Sequence, residues 1–61
     1  MYKITIEIIQ FNPIKISTEA VRYTGEFNGS LGQAITAAKD FYASELGTDP
    51  EEILIVDINK L

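Results

Sequence analysis

Asp49, Glu51, Glu52 and Asp57 crowd the C-terminal end of a 61-residue chain that has no His and no Cys. General acid or base work would therefore fall to carboxylates alone. Thiolate and imidazole ligands are absent, so a closed zinc site, an iron–sulfur cluster and any nucleophile that leans on an imidazole are excluded. The four acids also lack the spaced Asp/Asn pattern and central Gly of an EF-hand loop. Glu51 and Glu52 fit more simply as charges favouring the positive end of a short helical turn. No catalytic residue, metal ligand or cofactor site is expected among them.

Glycines supply the second candidate chemistry. Gly25, Gly29 and Gly32 lead into a helix start, where backbone N–H groups can hold an anion. The stretch "GEFNGSLG" has no Lys-Ser/Thr to complete a P-loop, and Arg22 is its only nearby cation. Turn and capping roles explain these glycines more simply; a small-ligand or anion site on this loop stands as the alternative. "NGS" matches a glycosylation acceptor, a match that is idle without secretion.

Nine acidic and five basic residues give a net charge of −4. Asp40, Glu45, Asp49, Glu51, Glu52 and Asp57 follow Lys39 with no Lys or Arg among them. That balance argues against direct nucleic-acid binding, which needs cations to neutralise phosphates. It suits a solvated acidic face, or attraction to a basic partner, including mimicry of nucleic acid. Hydrophobic residues make up 46% of the chain, enough for a core. A domain of about 60 residues buries only about 60% of the surface its unfolded chain exposes. With no disulfide or metal to compensate, oligomerisation or idealised packing remains. No leader-like segment and no apolar run of about 20 residues is present, so a soluble cytoplasmic protein is expected, away from membranes.

Periodicity supplies the elements that must position these groups. In residues 2 to 9, "YKITIEII", Tyr2, Ile4, Ile6 and Ile8 share one side and Lys3, Thr5 and Glu7 the other, with Ile9 the exception. Asn12-Pro13 marks a turn. The second hairpin arm, "IKISTEAVRY", alternates at Ile14 and Ile16 and then changes phase at Val21 and Tyr23, which predicts a bulge or bend near Ser17 to Ala20. Residues 24 to 33, "TGEFNGSLGQ", read as the loop into a helix starting at Leu31. Ser30 and Gln33 have capping-box spacing. Leu31, Ala34, Ile35, Ala38, Phe41, Tyr42 and Leu46 form an apolar stripe, and Gly47 suits the left-handed position past the helix end. "TDPEE" reads as a tight turn capped by Asp49, with Pro50 at a first helical position. Residues 53 to 59 are the last strand.

The order strand, strand, helix, strand predicts an α+β two-layer domain of residues 1 to 61. Its three-stranded sheet has order 2-1-3, with the helix on one face and the last strand antiparallel to the first; order 1-2-3 is the alternative. "MYKI" and "TEAV", the short hairpin, the helix, and a Gly and acidic Pro turn before an apolar strand together resemble part of a β-grasp domain. The resemblance implies a fold and no activity. The closing strand that pairs beside the first strand in that family is missing, "NKL" stands where a conjugation tail would carry Gly-Gly, and no functional residue carries over.

Ile53, Leu54, Ile55 and Val56 put apolar side chains on both faces of the last strand. With Asp57 and Asn59 pointing to solvent, Leu54, Val56 and Ile58 are expected beneath the helix. Ile53 and Ile55 would then lie on the open sheet face, joined there by Thr5, Ile9, Val21 and Tyr23. Large apolar patches usually mark interfaces. The expectation is a small acidic, non-enzymatic protein–protein interaction module. It would be homodimeric through Ile9, Val21, Tyr23, Ile53 and Ile55 or through the exposed edge of the last strand. Its acidic face would comprise Asp40, Glu45, Asp49, Glu51 and Glu52, and its partner would be another protein or a second copy. Small size and acidity would suit an accessory or inhibitory protein of a phage or mobile element.

Overall fold

A computed structural model describes residues 1–61. β1 (Tyr2–Asn12) and β2 (Ser17–Phe27) form a hairpin, and α1 (Leu31–Leu46) lies across one face of it. A single 3-10 turn at Pro50–Glu52 then leads into β3 (Leu54–Lys60). The sheet has order β2-β1-β3, with both neighbours antiparallel to β1. This is the α+β two-layer architecture that the periodicity predicts: the strand with the cleanest apolar alternation gains a neighbour on each side. No helix is long and apolar enough to cross a membrane.

The helix forms where its signals stand. Ser30 Oγ accepts the Gln33 N–H at 3.3 Å and Gln33 Oε1 accepts the Ser30 N–H at 2.9 Å, so each satisfies a donor that the first turn leaves free. Gly47 closes the other end at φ 65°, a left-handed conformation that costs glycine little. Asp49 caps the 3-10 turn by accepting the Glu51 N–H at 3.4 Å. Ala34 and Ala38 are fully buried on the inner side of α1, and such short side chains let a helix lie close to a sheet. Ile4, Ile6, Tyr42, Ala43 and Ile53 complete the core. At the chain ends, the Leu61 N–H donates to the Met1 carbonyl at 2.9 Å.

Two departures from the expected pattern decide what the sheet presents. The first lies in the hairpin, where β1 runs on to Asn12 and residues 13 to 16 alone make the turn. Asn12 Oδ1 accepts the N–H groups of Ile14 and Lys15 at 3.0 and 3.3 Å, a side-chain turn that ends the strand. Ile14 and Ile16 thus belong to the turn, and the phase change counted from them has no counterpart in the ladder. Register runs unbroken from Tyr2↔Phe27 to Asn12↔Ser17, without a bulge near Ser17 to Ala20. Val21 pairs with Ile8 and Tyr23 with Ile6, so both lie on the helix side rather than the open face. Residues 24 to 27 extend β2 instead of opening the loop.

The second departure is a bulge in β3. Ile4 stands opposite Ile58 and Thr5 opposite Asp57, but Ile6 stands opposite Ile55, which leaves Val56 as an extra residue. One extra residue inverts the alternation beyond it. Ile58, Ile55 and Ile53 all come to the helix side, and Leu54 turns outward. Ile53 is 1% exposed against 56% for Leu54. The expected placement of Ile53 and Ile55 on the open face is therefore overturned, as is that of Leu54 and Val56 beneath the helix. Ile58 keeps its expected side. The inversion lets Ile53, the first residue after the 3-10 turn, fill the core.

Helix and hairpin also differ in reach. Eleven residues of β1 span about 36 Å, whereas sixteen residues of α1 span about 24 Å. The hairpin overhangs its helix, and the molecule is 39 Å long but only 18 by 14 Å across.

Candidate interaction surface

Asp40 and Glu45 on α1, and Asp49, Glu51 and Glu52 at the 3-10 turn, are all exposed. Neither ion pair of the molecule, Arg22–Glu7 at 3.0 Å or Lys15–Glu19 at 3.4 Å, involves them. Two have local work: Asp49 caps the turn, and Glu52 accepts the Thr48 hydroxyl. No three acids converge tightly enough to hold a metal ion, and the surface has no pocket. Of the loop glycines, Gly25 sits within β2 opposite Ile4. A Cβ there would stand 2.7 Å from the Tyr42 hydroxyl and 3.1 Å from the Phe27 ring, so packing demands the glycine. At the helix start, Ser30 and Gln33 are occupied with each other.

The outer sheet face divides into two ends. Towards the chain termini it is polar: the Thr5 and Thr24 hydroxyls meet at 2.9 Å, Arg22 Nε donates to Glu7 at 3.0 Å, and Asn59 donates to Asp57 at 2.9 Å. Towards the hairpin tip it is apolar. Ile9 and Phe11 are 60% and 62% exposed, opposite the small residues Ala20 and Thr18, and Leu54 adjoins them on the same face. At the tip itself Ile14 and Ile16 are 91% and 81% exposed. The helix side of the same arm carries Gln10 opposite Glu19 and Asn12 opposite Ser17. Beyond the helix the usual pattern is inverted, with polar groups on the core side and apolar groups outside.

An open backbone edge runs beside this patch. β2 follows β1 to Asn12, but β3 follows it only from Tyr2 to Glu7; Ile8 is itself covered, so the stretch with an open edge and a strand on one side alone is Ile9–Asn12. The run Ile8 to Ile14 contains no charge, while the free edges of β2 and β3 carry Glu19, Arg22 and Glu26, and Asp57 and Lys60. Charges on an edge strand discourage another chain from pairing with it. The β1 stretch lacks that protection.

Of the five residues expected on an apolar interface, Ile9 alone lies on the outer face. Val21 and Tyr23 face the helix layer, where the Tyr23 ring lies 5.8 Å from that of Tyr42, and Ile53 and Ile55 belong to the core side. Tyr42 is part of that interior, and burial raises its hydroxyl pKa above the ordinary 10.0. The structure adds Phe11, Ile14, Ile16, Leu54 and Val56 to the exposed set. For Phe11 and Ile14 the uncharged run "IIQFNPI" is the available signal; Ile16, Leu54 and Val56 lie outside it. Ile16 has a φ of 51°, a left-handed conformation that Gly or Asn holds readily and a β-branched residue rarely. No protein-family model matches the chain, and neither does a curated protein or a solved structure.

Proposed function

We propose that the chain acts by binding protein, without chemistry of its own, and that it binds through the outer face of the sheet where the hairpin leaves the helix. The observation that carries this reading is the inverted arm: Ile9, Phe11, Ile14 and Ile16 face solvent together with Leu54. Soluble monomers rarely leave large apolar patches uncovered. A short chain that covers a surface of something larger would suit an accessory or inhibitory role.

The test is retention of a partner from the source cell on immobilised chain, comparing Phe11→Lys and Ile14→Lys with Glu51→Gln/Glu52→Gln. A central apolar anchor typically contributes 2 kcal/mol or more, so Phe11→Lys should weaken retention roughly 30-fold or more while the acidic variant binds normally. Unchanged binding by folded hairpin variants would sink the reading. The exposed acids without cation partners favour a second reading, attraction to a basic protein as a nucleic-acid mimic. Retention would then fall with salt and be lost in the acidic variant instead.

A further inference from the structure

We propose that the occupant of this surface is a second copy of the chain, joined by antiparallel pairing of the free stretch Ile9–Asn12 with itself about Gln10. This rests on the reading of the arm as a binding surface and gives it a partner and a register. Addition of a strand to an open sheet edge is a common mode of association, and of the free edges here this is the uncharged one. A two-fold axis at Gln10 sets Ile9 opposite Phe11 of the second copy, and Phe11 opposite its Ile9. Both Ile9–Phe11 pairs fall on the outer face, where aromatic and β-branched residues pair favourably across strands.

The register also fits the space. Beyond Phe11, Asn12 of the second copy would fall opposite the covered Ile8, and Pro13 opposite Glu7, where β3 already begins with Leu54. The incoming strand thus ends where β3 starts, and Pro13, with no N–H to give, closes the ladder. Charge follows the same geometry. The tip beyond Pro13 carries Lys15, and it arrives beside the 3-10 turn that bears Asp49, Glu51 and Glu52, none of which holds a cation within the chain. The pair that Lys15 makes with Glu19 at 3.4 Å is exposed and readily exchanged.

Two measurements on the full chain test this. Solution mass from about 1 μM to about 1 mM should double across the series, and this needs no variant. The second uses Gln10→Cys, which supplies the only thiol in the chain. Directly opposed antiparallel residues have Cα atoms about 4.5 to 5.5 Å apart, within disulfide range. In a glutathione redox buffer, Gln10→Cys should give covalent dimer at least about tenfold faster than Thr36→Cys on the exposed side of α1. Gln10 points to the helix side, so face-to-face packing of two outer sheets would favour Phe11→Cys instead. A dimer that cross-links through Phe11→Cys and not Gln10→Cys overturns the edge pairing but leaves the binding surface in place. A monomer throughout the series overturns the proposal outright. Should another protein then be retained and lost in Phe11→Lys, the reading of the arm survives without it.

Discussion

A methyl group on Gly25 would stand 2.7 Å from the Tyr42 hydroxyl, at the end of a ring held by Tyr23, Phe27 and Phe41. A confined ring cannot swing aside cheaply, so Gly25→Ala should lower stability by about 1 to 3 kcal/mol, read as a drop in urea midpoint. Tyr42→Phe in the same chain should recover part of the loss, because it removes the atom that is struck. The same hydroxyl gives the fold a pH dependence. Burial raises its pKa, so the fold prefers the neutral phenol and the unfolded chain releases its proton first. The resulting contribution is fully present below about pH 10 and is lost as pH rises through the higher native value. Urea midpoints in mildly and strongly alkaline buffer should converge less in wild type than in Tyr42→Phe. At the hairpin tip, Ile16→Gly should relieve the positive φ and stabilise the fold by about 1 kcal/mol, visible in the same titration.

Elements show where sequence patterning succeeds and where it stops. The capping box at Ser30 and Gln33, the cap at Gly47 and the order of strands follow from local signals, and these are legible because each involves residues close in the chain. The face of Ile53 and Ile55 was not legible. It depends on Val56 being extra, which only the pairing with Ile6 on one side and Thr5 on the other reveals. Asp57 pointed outward as expected, but alternation carried back through the bulge gave the wrong side for everything before it. Val21 and Tyr23 were misplaced for a related reason, since Ile14 and Ile16 mimic strand alternation from within a turn. The two assignments for β3 separate sharply by experiment. Ile53→Ala should cost about 2 to 5 kcal/mol in denaturant unfolding, and Leu54→Ala should stay within about 0.5 kcal/mol. A larger loss at Leu54 would restore the simple alternation.

At the scale of the molecule, only eight of 61 residues are buried, and seven of them form the single cluster between helix and sheet. The arm beyond them is two strands without a packed face, an arrangement that is marginal in water by itself. Self-association would couple its order to concentration: the melting temperature should rise with protein concentration in wild type and stay flat in Phe11→Lys. Equal concentration dependence in both would show that the arm is not what the copies share. The bond between the Leu61 N–H and the Met1 carbonyl has a mechanical consequence. Both ends of the chain leave the sheet side by side, from adjacent antiparallel strands whose hydrogen bonds run across them. Tension applied through the ends would load those bonds one after another, as in a zip, rather than all at once in shear. β3 would peel away at low force as far as the bulge, and the resistance would come when Ile53 is drawn from beneath the helix.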